Sequence, residues 1–336
     1  MFGTLRTLLA INVVLLHIFS IPTLGNYSVS FFFLLSGFLM TLIIHETYGY
    51  SFIGFRVFWL NRILRLYPIY LSILFITIVL VFIFPEIVLR HSSIKIPDTI
   101  IEWFANLTMI FPNVVPHRFN PRLVPTAWAL TNELLFYLLI SFGISKTLKR
   151  TLIWLVLSIA YYIGTYIFYD IATYRYSAVF ASSLPFAMGA VLYWIVKFNP
   201  IKKVPLASIL LVYLIFILNA HFKYTYTDLL KEISIYINML VAFILIYLLY
   251  HIKISNKWKK WDQYIGMYSY PIYLSHYLVA ILYVAFINFG VHKNNFKMHY
   301  VALPFYGLFL FIFCFLIVRY IDINVNKLKT KVKKTL

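Results

Sequence analysis

Long apolar runs separated by short polar breaks dominate this chain, and their lengths set its architecture. A helix needs about 17–25 residues to cross the hydrocarbon core of a bilayer. Ten stretches reach that length, at roughly 5–22, 27–46, 67–88, 126–145, 152–169, 177–197, 204–221, 233–252, 265–289 and 300–321. The pattern predicts an all-α fold, a polytopic membrane bundle of about ten transmembrane helices forming one domain over residues 1–336. The stretch 99–112 is too short and too polar for another crossing and reads as an interfacial or re-entrant piece. Prolines at 112, 116, 121 and 125 make residues 112–125 an irregular connection. The loop 89–125 is the only long one, and long loops in compact proteins are functional or disordered.

Composition agrees with this picture. Hydrophobic residues make up 62% of the 336 and charged residues 12%, with a mean hydropathy of +0.86. A soluble domain is about half apolar and a quarter charged. A net charge of +19 in a soluble protein would suggest nucleic acid. Here topology accounts for it. With the N-terminus inside, 20 of the 29 lysines and arginines fall on inner segments, among them Lys197, Lys202 and Lys203, so both ends are expected in the cytoplasm. The basic tail over 322–336 is expected to lie against anionic headgroups of the lipid bilayer, and no nucleic acid partner is expected. Cys314 is the single cysteine, which rules out an internal disulfide or a cysteine-based metal site. The first span begins like a secretory signal, but no A-x-A-like site follows and a histidine interrupts its core, so it reads as retained.

That histidine opens the candidate chemistry. Arg6 and His17 are eleven residues apart, which is three turns plus roughly 20°, so they share one stripe about 16 Å long. An ionisable side chain in hydrocarbon costs about 2.5–3.5 kcal/mol even on lenient scales and marks a functional site by default. With the fourth span taken to start outside near residue 126, Glu133 lies roughly 10 Å deep, close to the 7–8 Å of His17. Thr126, Ala129, Glu133 and Tyr137 share its face. Glu133 is the only acid well inside a span, so it is the expected partner of His17: a carboxylate beside an imidazole fixes its tautomer and raises its basicity. The bland alternative is that each group satisfies a local hydrogen bond of its own.

On the inner side, Arg62 and Arg65 share a helix face, and paired guanidiniums there suit phosphate. Plain positive-inside topology with snorkelling side chains explains them equally well. In FFFLLSGFLMT, Ser36-Gly37 allows another backbone or a ligand to approach closely, with helix packing as the plainer reason. His276, near the midplane of the ninth span, is either a packing residue or a direct participant. No histidine pair has metal-ligand spacing, and there is no nucleophile elbow, phosphate loop or dinucleotide fingerprint, so no metal is expected.

Taken in order, Arg6-x10-His17, FFFLLSGFLMT, Arg62-x-x-Arg65, Trp128-Ala-Leu-x-x-Glu133 and YSYPIYLSH resemble the acyltransferase-3 family of integral membrane O-acyltransferases over nearly the whole length. No one of these motifs is specific; their order and spacing together are. The resemblance implies a cytoplasmic acyl-CoA donor, acetyl-CoA by family analogy, and an acceptor such as a bacterial cell-surface or lipid-linked glycan or another hydroxylated molecule. It implies His17 as the catalytic histidine supported by Arg6, Glu133 as the essential acid, and Arg62 and Arg65 at the donor. Tyr137, Ser36 and His276 are supporting candidates. Asn61 stands where a basic residue often precedes the arginine, and Ala129 stands between Trp128 and Leu130 where the family pattern has serine; neither removes an ionisable group. Some relatives add an extracytoplasmic hydrolase-like domain. This chain ends about fifteen residues past its last span, so the membrane unit is expected to act alone or with glycan-synthesis machinery in the bacterial cytoplasmic membrane. The competing class is a transporter or glycan exporter using the same His/Glu pair, though no inverted repeat of broken helices supports it. A structural partner of a glycan synthase is a third.

Overall fold

A computed structural model describes residues 1–21, 24–169, 173–198, 204–223 and 228–334. Lys202, Lys203 and the last two residues of the expected basic tail lie outside them, as does residue 22 at the expected end of the first span. The described chain is helical throughout, with no strand beyond one isolated bridge, Val291 to Met298. In order the helices are α1 (Phe2–Phe19), α2 (Leu24–Ile43), α3 (Phe52–Ile83), the single turn α4 (Pro85–Val88), α5 (Ile100–Thr108), α6 (Trp128–Ser141) and α7 (Leu148–Phe168). There follow α8 (Ser183–Phe198), α9 (Leu206–Phe222), α10 (Asp228–His251), α11 (Asn256–Met267), α12 (Ser269–Phe286), α13 (Leu303–Ile317) and α14 (Ile323–Lys334).

Eight helical stretches are long and apolar enough to span a membrane, and Leu206–Phe222 is one residue short of that length. Polarity is arranged for lipid: Phe75, Phe82, Val156, Leu157, Leu210 and Phe311 lie exposed on the outside, while Asn12, Ser28, Asn219, Ser234 and Asn238 are buried between helices. The protein is therefore a multi-pass membrane helix bundle. The expected fourth span, 126–145, is instead the 14-residue α6, about 21 Å long and too short to cross alone. The loop before it is not on the surface, since every residue from 121 to 130 is buried. The Arg122 guanidinium holds this loop together by donating to the carbonyls of Pro125, His117 and Phe119 and to Ser93 Oγ. The expected third span begins earlier, because α3 runs unbroken through Pro68 for 32 residues. That is about 48 Å against about 30 Å of hydrocarbon, so Arg56, Arg62 and Arg65 ride on its first turns near one end of the bundle.

Two helix contacts position the functional residues. In the first, α2 packs on α8 with almost no side chain between them: a Cβ on Gly37 would lie 2.2 Å from the Phe186 carbonyl oxygen, and one on Gly189 would lie 2.1 Å from that of Leu34. In the second, α1 runs parallel to α11 and then α12, its residue offset changing by one along the contact. Thr4 pairs with Asp262, the Thr7 hydroxyl donates to the Ile265 carbonyl at 2.8 Å, and His17 meets His276. At its far end α1 is strapped by the 291–298 turn, where Met298 N donates to the Ile18 carbonyl and Lys297 Nζ to that of Leu16. This occupies carbonyls that a helix C-terminus leaves free.

Candidate functional site

A cavity of about 300 Å³ opens between α1, α2, α3, α6 and α12. At one end three guanidiniums converge on it, Arg6 from α1 and Arg62 and Arg65 from α3. Their spacing on α3, three residues apart, puts both on the inward face as their sequence position suggested. A smaller chamber of about 140 Å³, lined by Gln263, Asp322 and Asn326, shares Arg6, Arg65 and Tyr270 with the first. The two lie on either side of those three residues. Arg62 is incompletely partnered: its Nε is buried without a hydrogen bond, and one terminal nitrogen faces only the Met40 sulfur, at 3.6 Å. A buried donor left open costs about 1–3 kcal/mol, more when charged, and an anion would satisfy it.

Glu133 belongs to this end. Its Oε1 accepts from Ser36 Oγ at 2.6 Å, with Tyr137 one turn further along α6 at the same carboxylate. Ala129, Glu133 and Tyr137 all line the cavity, so the face read from their spacing is the one used. Gly37 explains how Ser36 gets there, because the close α2–α8 approach sets α2 at the depth where the hydroxyl meets α6. Of these adjacent residues, Gly37 serves the packing of α2 on α8 and Ser36 hydrogen-bonds Glu133.

His17 is at the other end, and its partner is not Glu133. Its Nδ1 lies 2.9 Å from His276 Nε2, with the rings stacked at 5.1 Å. Tyr277 stacks on the His17 ring at 5.4 Å and packs on His276 and on His91. His276 Nδ1 in turn lies 2.9 Å from the Tyr273 carbonyl, which also accepts from Thr126 Oγ1. Two rulers separate the carboxylate from the imidazoles. Glu133 is seven residues past Thr126, which lies in the turn leading into α6, and Ser36 lies eight residues along α2 from Ser28, which bonds Asn12, itself five residues from His17. At 1.5 Å per residue these put Glu133 about 10–20 Å toward the arginine end. The expected pairing fails because it took the span containing Glu133 to start at the surface, whereas α6 starts beneath a buried loop.

Between the two ends stand rings. Val29, Phe32 and Tyr273 form the cavity wall nearest the histidines, and Phe32 meets Tyr273 edge-on at 6.0 Å. The Tyr273 hydroxyl is tied to the Thr126 carbonyl. Arg6 and His17 do lie along one stripe of α1, but Arg6 faces the cavity and His17 lies past the aromatic wall. Tyr270, Tyr273, Tyr277, His91 and Lys297 were not singled out from sequence, and Thr126 was placed only on the face of Glu133. Of these, Tyr270 and Tyr273 had a signal, inside YSYPIYLSH. Outside the spans, burial and the nearby Arg122 charge hold the His91 imidazole down to about 4, and the same causes lower His117. Among the described residues no group of three or more His, Cys, Asp or Glu could hold a metal.

Two clusters of ionisable groups, one lining a cavity and the other behind its Phe32–Tyr273 wall, fit the motif order read from the sequence. The family profile for that resemblance, described as an acyltransferase domain, matches residues 2–321. The chain belongs to the acyltransferase-3 family. As a member of that family it is a membrane acyltransferase. No curated protein and no solved structure matches it.

Proposed function

We propose that this acyltransferase-3 protein is an O-acyltransferase of the bacterial cytoplasmic membrane. It moves an acyl group, acetyl in the simplest case, from cytoplasmic acyl-CoA to a hydroxyl of a cell-surface or lipid-linked glycan. The observation that carries this reading is the convergence of Arg6, Arg62 and Arg65 on one end of a cavity whose other end approaches the His17–His276 pair. By the positive-inside rule the arginine end is cytoplasmic. Three guanidiniums against one carboxylate leave an excess of buried positive charge, which favours a polyanion such as the phosphates of the donor. The slim pantetheine arm suits the cavity, and the roughly 16 Å from Arg6 to His17 is of the order of its length. To bring the thioester to His17 the arm has to displace the Phe32–Tyr273 contact.

His17 acts as general base on the acceptor hydroxyl. The oxygen attacks the thioester carbon, the carbon–sulfur bond breaks, and the leaving thiolate takes the proton back from His17. Glu133 serves the other end. Held by Ser36, it balances part of the guanidinium charge and sets how the arginines present themselves to the donor.

The experiment is acyl-CoA consumption by purified protein with acceptor glycan, paired with a comparison of O-acyl groups on surface glycans from cells with and without it. His17→Ala is expected to abolish transfer in protein that still inserts and elutes as wild type. Full activity in a well-expressed His17→Ala preparation refutes the reading, and an acyl-His17 adduct trapped during turnover would replace the direct step with a two-step route.

A further inference from the structure

Taking His17 as the base of the acyltransfer proposed for this site, we infer that His276 is a positioning residue that holds His17 as the Nδ1–H tautomer and so turns its Nε2 lone pair toward the acceptor. Hydrogen-bond direction alone requires this tautomer. A carbonyl oxygen accepts and cannot donate. His276 Nδ1 lies 2.9 Å from the Tyr273 carbonyl, so it carries the proton. A neutral imidazole has one N–H, which leaves His276 Nε2 as an acceptor. The group 2.9 Å from it is His17 Nδ1, which must then be the donor. The remaining nitrogen of His17, Nε2, holds a lone pair. It is the nitrogen a general base needs.

The surroundings keep His276 in its single-proton form. It is completely buried, and among the described residues no carboxylate contacts either ring to favour a cation. The groups facing the pair are Tyr277, whose ring packs on both imidazoles, His91, which packs edge-on against Tyr277, Tyr306, whose hydroxyl donates to the His276 carbonyl, and Lys297 on the strap over α1. Each is neutral or positive, so none stabilises a second proton on the pair. Thr126 holds the start of the relay by sharing the Tyr273 carbonyl. The chain Tyr273 carbonyl, His276, His17 therefore does by backbone and imidazole what the expected carboxylate would have done, with no carboxylate against either ring among the described residues. In the transfer step His17 Nε2 gains the acceptor proton, the Nδ1–H bond to His276 steadies the resulting imidazolium, and the departing thiolate removes that same proton.

The test reads the tautomer directly and then its consequence. Protein carrying ¹⁵N-labelled histidine rings, with His17 assigned by its loss in His17→Ala, is expected to show His17 protonated at Nδ1 and bare at Nε2 near neutral pH. A proton on Nε2 overturns the inference. His276→Phe removes the acceptor and is expected to lower kcat by about 10²–10³-fold, leaving the KM for acyl-CoA within about twofold. His276→Gln, whose amide oxygen can accept from His17, is expected to recover at least about tenfold over His276→Phe. An undiminished kcat in His276→Phe, or no recovery in His276→Gln, overturns the inference while the acyltransfer reading stands, provided His17→Ala is inactive. Should the phenylalanine variant fail to fold, the nitrogen spectrum of the wild-type protein decides alone.

Discussion

The close crossing of α2 and α8 gives the sharpest structural prediction. Replacing Gly37 by alanine would place a methyl carbon 2.2 Å from the Phe186 carbonyl oxygen and 2.8 Å from its Cα. An ordinary carbon–oxygen contact is about 3.3 Å, so the two backbones must part by about 1 Å. Backbone cannot change rotamer to relieve this, and overpacking of that kind costs about 1–3 kcal/mol. The displacement also reaches the site. α6 stays with α8 through the Phe136–Phe186 stack at 4.8 Å and the Asn132–Ser182 hydrogen bond. When α2 moves off, the 2.6 Å Ser36–Glu133 bond opens beyond hydrogen-bonding range, forfeiting about 1.5–3 kcal/mol for a bond to a charged acceptor. Gly164 is the internal control, because nothing lies within 4 Å of a Cβ built there and alanine gains about 0.5–1 kcal/mol in a helix. Gly37→Ala is therefore expected to be less stable than Gly164→Ala by about 2.5–6 kcal/mol, with acyl transfer reduced, and Gly189→Ala should behave like Gly37→Ala. The assay is unfolding in detergent followed by tryptophan fluorescence, alongside initial rates. If Gly37→Ala unfolds with Gly164→Ala, the two helices do not meet as described and the placement of Ser36 falls with them.

Other perturbations separate the two ends of the cavity. Arg62→Gln removes a charge-assisted anion contact and should raise the KM for acyl-CoA by about 10–100-fold, without changing that for the acceptor; an unchanged donor KM with lower turnover contradicts the donor role. Phe32→Ala opens the wall between cavity and histidines, and acyl-CoA hydrolysis without acceptor should rise several-fold; no rise means that the rings do not form the barrier. His91, held at about 4 against an unfolded value of about 6.5, binds its proton more tightly when unfolded. Its contribution is complete above pH 6.5 and is lost as pH falls from there through 4, on the order of 3 kcal/mol. Unfolding measured at pH 7.5 and pH 4.5 should show a smaller loss in His91→Phe than in the wild type, and an equal loss removes His91 as the cause.

The sequence was legible wherever a property belongs to one helix. Length and hydropathy gave the membrane bundle, and the three- and four-residue spacings put Arg62 with Arg65 and Ala129 with Glu133 and Tyr137 on the faces they occupy. It misled where depth depends on what precedes a helix. The proline-rich approach to α6 reads as an irregular connection outside the spans, yet Arg122 folds it inward by capturing carbonyls of its own segment. That buried loop shortens α6 and lowers Glu133 away from His17. The histidine pair was illegible for a related reason: His17 and His276 are 259 residues apart, and no pattern along the chain says that α1 and α12 lie in parallel register.

That register has an identifiable origin at the opposite end of α1. Asp262 accepts from the backbone N–H groups of Gly3 and Thr4 and from the Thr4 hydroxyl, at 3.0, 2.8 and 2.8 Å. A carboxylate from a neighbouring helix thus caps α1, at the end where the helix dipole favours negative charge. Glycines make the approach possible, since a Cβ on Gly3 would lie 1.9 Å from the Asp262 carbonyl oxygen and one on Gly266 2.6 Å from the Gly3 Cα. Because both chains then rise at the same 1.5 Å per residue, a contact fixed at Thr4 and Asp262 carries through Thr7 and Ile265 to His17 and His276 with an offset that changes by only one residue. A one-residue slip would rotate His17 by about 100° and turn its Nδ1 away from His276. The cap therefore fixes the geometry of the imidazole pair from more than three helical turns away.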